Sequence, residues 1–324
     1  MPNYTALKTS VDGFEVVRLT DASHNTEVAM IPSIGNIANE MKVNGHNVLW
    51  WPHRSLQEFK AKPSFAGIPF LAPWANRLDQ DAFYANGQKY ILNPALGNFR
   101  RDPNGSPIHG LLSYTGYWQV ASLTADEREA AVVSRLEFWK HPDLMAQFPF
   151  AHTLEMKYRL SGGILEVQLT IENHSEAPMP LSIGFHPYYQ LTDATRDQWR
   201  VHLAAADHYE LSDKLIPTGA KKAVEFPDPV SLSAHQLDDV FGGVSHGDEF
   251  WVEGAQQRLS IRYGEKYRVA VVYAPPGKDF ICFEPMTGIT DAFNLAHAGL
   301  YSDLQSVPAG GEWEESFWIR PSGF

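Results

Sequence analysis

Cysteine is nearly absent. Cys282 stands alone in 324 residues, so no internal disulfide can form, and the count fits a reducing compartment, with the cytoplasm as the expected location. Long apolar runs are missing too. No window reaches the roughly 18 consecutive apolar residues of a membrane-spanning helix. The stretch from Met1 to Thr20 carries Asp12 and Glu15 and lacks the basic-then-apolar pattern of an export signal. Positive charge is scarce: 26 Lys and Arg against 38 Asp and Glu leave a formal net charge of −12, which disfavours nucleic acid and anionic membranes as partners. A small neutral molecule is the partner these counts leave open.

Several chemical motifs are also lacking. The chain has no glycine-rich phosphate loop, no dinucleotide fingerprint and no Gly-x-Ser-x-Gly elbow. Its 13 histidines never fall in His-x-His or His-Glu-x-x-His spacing, so neither a metal nor another cofactor is expected. Cys282, inside the apolar run Phe280 to Phe283, reads as inert core.

What is present is alternation. Leu154, Met156, Tyr158 and Leu160 alternate with Thr153, Glu155, Lys157 and Arg159; after Ser161-Gly162-Gly163, Leu165, Val167, Leu169 and Ile171 alternate with Glu166, Gln168, Thr170 and Glu172. Two such runs joined at Gly-Gly predict an antiparallel hairpin with one wet face. Phe14–Leu19, Ile37–Val43, Tyr117–Leu123, Ala131–Phe138, Arg258–Tyr263 and Trp313–Arg320 are further strand candidates. Helical signal is confined to a turn or two at Ser55–Lys60, and no linker divides the chain. The expectation is one all-β domain over 1–324, a sandwich or barrel, mostly antiparallel with few short helices.

Four segments put polar, titratable residues where a β-protein would otherwise have core or bland loop. Gly67 to Arg77 is apolar and proline-stiffened and ends in Asn76-Arg77, an amide beside a bidentate donor suited to sugar hydroxyls or a carboxylate. In Ser106 to Gly110, Gly110 leaves room for a ligand beside the His109 imidazole. In Leu181 to Tyr189, Pro187 biases His186 toward extended backbone, and Tyr188 suits stacking on a sugar ring. In Phe280 to Gly288, Glu284 ends an apolar strand, where a carboxylate must be at a strand mouth, paired or shifted in pKa. Leu237 to Phe241 adds the acidic pair Asp238 and Asp239. A carboxylate, two histidines, an arginine and aromatics form an inventory for acid–base work on a neutral carbohydrate.

The ordered series Asn76-Arg77, His109-Gly110, His186-Pro187-Tyr188, Leu237-Asp238-Asp239 and Phe283-Glu284-Pro285 resembles the aldose 1-epimerase (galactose mutarotase-like) family over about residues 35 to 294. The resemblance implies a β-supersandwich and an isomerase, monomeric or homodimeric, that interconverts the α and β anomers of an aldose sugar. It implies Glu284 as catalytic base and His186 as acid, with Asn76, Arg77, His109 and Asp239 binding substrate. The galactose-specific branch differs by an asparagine where this chain has Phe185, and by a glutamine at the position of Val271. Three rivals stand beside this expectation. Arg100-Arg101 suits a hexose 6-phosphate epimerase of the same family. A non-catalytic carbohydrate-binding protein would use the same pocket. A glycosidase or lyase would pair Glu284 with Asp239, with the two carboxylates of a glycosidase about 5 to 10 Å apart.

Overall fold

The computed structural model describes residues 3–324 and is built mostly of antiparallel strands. The predicted hairpin is there as His152–Ser161 and Ile164–Asn173. Its closing pair is Ser161 with Ile164. Gly162 and Gly163 both take positive φ (58° and 72°), the conformation a two-residue turn of this hand demands. Leu154, Met156, Tyr158 and Leu160, with Leu165, Val167, Leu169 and Ile171, are all buried on one face. On the wet face Arg159 Nη1 donates to Glu166 Oε2 at 2.9 Å, across the register pair the alternation implies.

This hairpin lies inside a nine-stranded sheet that continues through Glu312–Ser322 and Arg258–Tyr263 to Phe250–Glu253. Against it packs a second sheet of eight strands, with Leu237–Val244, Val269–Ala274, Ile281–Met286 and Gly184–Phe185 as successive neighbours. Rings from the two sheets meet between them. Phe185 lies 5.1 Å from Phe317 and Phe283 lies 5.8 Å from Phe250. The strand Ile281–Met286 is buried along its whole length. Because side chains alternate across a strand, Phe283 faces this core while Cys282, Glu284 and Met286 face the other way. A five-stranded antiparallel sheet, from Tyr4–Val11 to His46–Asn47, joins the same core through Val17, Leu19, Val28 and Met30.

The three α-helices among the described residues are short: Leu56–Ala61, Pro142–Met145 and Ala292–His297. Only the first is predicted from sequence; Ser55 Oγ accepts from Glu58 N at its start. The others are one turn or so, too short for a 3.6-residue period to register. The strand expected from Tyr117 begins at Gln119, because Tyr117 turns aside to stack on His141 at 3.7 Å. Among the described residues no helix is long and apolar enough to cross a membrane.

Phe185 is fully buried and also packs on Phe70 at 5.0 Å. Phe185→Ala is expected to lower unfolding free energy by about 3 to 5 kcal/mol, read from urea denaturation. A loss under about 1 kcal/mol would remove Phe185 from the set of residues joining the two sheets.

Candidate active site

Strand register brings together a carboxylate and an imidazole that are 98 residues apart (284 − 186). Gly184 pairs with Met286, and Tyr188 pairs with Cys282. His186 and Glu284 fall midway, opposite one another, where the ladder is interrupted by Pro187 and the His186 N–H turns to Pro69 O (3.0 Å). His186 Nε2 lies 3.3 Å from Glu284 Oε1. Both residues are almost wholly buried, at 6% and 1% exposure. Glu284 Oε2 and His186 Nδ1 have no hydrogen-bond partner among the described residues.

The imidazole is held by aromatic rings. Tyr188 lies parallel to it at 4.7 Å and Phe65 at 5.4 Å, one of each stacked pair being His186 itself. Tyr188 is packed in turn against Trp50 and Phe280. His109 meets both His186 and Phe65 edge-on, at 5.5 and 4.8 Å. It reaches this position because His109 and Gly110 take consecutive positive φ values of 63° and 65°. A Cβ at Gly110 would run into the Ala72 carbonyl. The expectation that Gly110 makes room for a ligand is therefore replaced: its small size lets the chain's own backbone pass, and Leu111 N donates to Ala72 O at 2.7 Å.

Asn76 and Arg77 join the same cluster. His109 N donates to Asn76 O at 2.8 Å, and Arg77 bridges to Ile108. Arg77 Nε donates to Asp102 Oδ2 at 2.7 Å. Asp102 is itself fixed by the Asn104 and Ser106 N–H groups, each 2.9 Å from Oδ1. Burial works against the Asp102 charge, but the Arg77 bond and these N–H groups win and hold its carboxyl below the usual range. The tether uses Nε and leaves the two terminal nitrogens of Arg77 to act elsewhere.

The acidic pair divides between the two faces. Asp238 is opposite Tyr273, which is opposite Cys282, so Asp238 shares the face of Glu284. Asp239 pairs with Val272 and points the other way, where its Oδ1 meets His208 Nε2 at 2.8 Å. Of the expected site residues, Glu284, His186, His109, Asn76, Arg77 and Tyr188 come together; Asp239 does not, and Asp238 stands in its direction. Phe65 and Tyr273 are neighbours that sequence reasoning missed, since a lone aromatic in a loop or strand reads as core. Phe185 lies on the core face, so its difference from the galactose-specific branch is a packing change. Val271, by contrast, is directly opposite Glu284.

Burial is the leading influence on both members of the pair. Burial pushes the Glu284 carboxyl well above the usual carboxylate range, the Asp238 charge adds to this, and Arg77 opposes it. Burial pulls His186 down to about 3, with the Arg100 and Arg77 charges adding. His109 is driven well below its ordinary value, by burial first and then by His186 and the two arginines. An isolated charge is disfavoured on each partner. A single proton shared by Glu284 and His186 gives zero net charge whichever atom carries it, and this is the state burial favours. Asp238 has an exposed side, yet partial burial raises its carboxyl, with Arg77 opposing and Asp239 adding.

Residues 16–320 match the sequence model of the aldose 1-epimerase family, and the chain belongs to that family. The Escherichia coli K12 proteins YihR and YphB, both uncharacterised, are each 24% identical to it. YihR aligns over 231 residues, 69% of this chain and 70% of its own. YphB aligns over 272 residues, 77% of this chain and 82% of its own. Among solved structures, a galactose mutarotase-like protein from Clostridium acetobutylicum superposes with a TM-score of 0.87 at 20% identity, over 99% of both chains. Galactose 1-epimerase from Lactobacillus acidophilus NCFM gives 0.76 at 14% identity, over 100% of both. The fold is that of the galactose mutarotase-like proteins.

Behind Arg77, Asp291 N donates to Arg77 O at 3.0 Å. Asp291 Oδ1 accepts from Asn294 Nδ2 at 2.7 Å and from Asp79 N at 3.2 Å. Burial, with the Asp79 charge, raises the Asp291 carboxyl to about 7. Its folded value is above its unfolded value of 3.8, so the folded state holds the proton more tightly. That contribution to stability is present below about pH 4 and is lost as pH rises to about 7. Asp291→Asn keeps the acceptor and removes the charge. It is expected to raise the melting temperature at pH 8 relative to wild type and to flatten the pH dependence between 4 and 7. Equal melting temperatures at pH 8 would show that Asp291 ionises freely.

Proposed function

We propose that this chain interconverts the α and β anomers of an aldose by opening and reclosing its ring, with Glu284 and His186 exchanging the protons. The observation that carries this reading is the 3.3 Å contact between a buried carboxylate and a buried imidazole, held in an aromatic slot beside an arginine. Anomerisation takes a proton from the O1 hydroxyl and delivers one to the ring oxygen O5 as the C1–O5 bond breaks. Rotation about C1–C2 and the reverse transfers then give the other anomer. The reaction consumes no net proton, which suits a pair that holds one.

In this scheme Glu284, as the carboxylate, removes the O1 proton, and His186, as the imidazolium, protonates O5. The Arg77 charge favours the ionised form of Glu284 against burial, and its two terminal nitrogens bind hydroxyls. Asn76, His109 and Asp238 line the sugar-binding side, Asp238 taking the part expected of Asp239, and Tyr188 fixes the imidazole plane. A binding module gains nothing from a buried acid–base pair with unpartnered atoms, which costs stability without adding contacts. A glycosidase pairing Glu284 with Asp239 is disfavoured by Asp239 lying on the opposite face of its strand.

Polarimetry on freshly dissolved α-D-glucose and α-D-galactose is the test. Wild type is expected to accelerate mutarotation, and Glu284→Gln and His186→Asn to lose about 10²- to 10⁴-fold in kcat while still binding sugar. Near-normal turnover in Glu284→Gln would remove the carboxylate from the chemistry.

A second reading has its own observation. Arg101 is spent on Asp81, donating at 2.7 Å to each carboxylate oxygen. Arg100 has no carboxylate partner among the described residues. Its guanidinium lies 4.7 Å over Phe65 and 5.6 Å over Tyr114, at the edge of the site. An uncompensated cation there favours a sugar bearing an anionic group, as in a hexose 6-phosphate. Glucose 6-phosphate is then expected to compete with free hexose, with its inhibition constant rising roughly tenfold in Arg100→Ala. Absence of inhibition of wild type would leave free aldoses as the substrates.

A further inference from the structure

Cys282 is wholly buried and packs with Tyr188 and Phe280, as its apolar surroundings suggest. It lies two residues before Glu284 on the same strand face, directly opposite Tyr188. One ligand atom each from His186, Cys282 and Glu284 lie within 4.8 Å of one another, and all three residues are buried. A second observation points to a ligand at this spot. Glu284, only 1% exposed, has an oxygen, Oε2, with no hydrogen-bond partner among the described residues.

We infer that His186, Cys282 and Glu284 form a binding site for a soft divalent cation of the zinc or cadmium type, and that such a cation inhibits the enzyme by occupying its acid–base pair. Zinc bonds of about 2.0 to 2.3 Å put tetrahedral ligands roughly 3.3 to 3.7 Å apart. The contact between His186 and Glu284 already has that length, 3.3 Å, and the thiol closes the triangle with a shift of about 1 Å on the same bond-length argument. Three protein ligands leave the fourth tetrahedral position for a water molecule. A dication bound by one carboxylate, one thiolate and a neutral imidazole carries no net charge, which is the condition for burying it. The thiolate selects zinc and cadmium over magnesium and calcium, which prefer oxygen ligands. The inhibition rests on the acid–base reading above; the binding does not.

Two readouts separate them. Cadmium added to wild type is expected to give an ultraviolet thiolate-to-metal charge-transfer band that saturates at one equivalent, and calcium to give none. Zinc is expected to inhibit mutarotation reversibly, with EDTA restoring activity. In Cys282→Ser, and in Cys282→Ala as a check on packing, the band is expected to vanish. The zinc concentration for half-inhibition should rise by at least roughly 10- to 100-fold, the range lost when even a group supporting a ligand is removed. No band in wild type, or unchanged zinc sensitivity in both variants, would overturn the site. A band without any mutarotase activity to inhibit would uphold the site and overturn the acid–base reading instead.

Discussion

The constraint on which this site depends is the burial of a carboxylate and an imidazole opposite each other in one antiparallel sheet. Each charge alone is disfavoured by its apolar surroundings, so the two are driven to share one proton. That sharing sets a demand on everything nearby. Phe65 and Tyr188 sandwich the ring, Asp102 locks the Nε edge of Arg77, and the arginine supplies the field that favours an ionised Glu284. The strand Ile281–Met286 meets opposite requirements on its two faces. Phe283 joins the packing between sheets while Glu284, one residue later, meets His186.

The register explains why so few residues need to be polar. With Gly184 opposite Met286 and Tyr188 opposite Cys282, the pairing of His186 with Glu284 follows from counting, and no dedicated loop holds it. The interruption at Pro187 frees the ladder there, and the His186 N–H turns to Pro69 instead. Gly184 belongs to the same device: a Cβ on it would collide with Met286 Sδ and crowd Pro285 O, pushing the two strands apart where the pair must meet.

Much of this was legible in the sequence, for specific reasons. The hairpin over residues 152–173 announces itself because one face is dry and the other wet, so its alternation is clean. Glu284, His186, His109 and Asn76-Arg77 stand out because polar residues interrupt apolar or proline-stiffened segments. Asp239 was misleading because Leu237-Asp238-Asp239-Val240 has adjacent acids between apolar residues, and such a pattern does not specify which of the two faces the cleft. A one-residue slip exchanges faces, and only the pairing with Tyr273 and Val272 decides. Gly110 was misread because its neighbour is the chain itself. Phe65 and Cys282 carried no signal: what marks them out is their nearness to His186, which is remote from both in sequence and which the fold brings beside them.

That distance has a kinetic consequence. His186, between the strands Gly184–Phe185 and Tyr188–Tyr189, is 98 residues (284 − 186) from Glu284. Contacts of such high sequence separation form slowly, because loop-closure entropy must be met before they give anything back. Secondary structure and much of the nine-stranded sheet rest on local hairpins and can form early. The meeting of His186 and Glu284 is therefore a stricter marker of completed native topology than a spectroscopic signal of strand content.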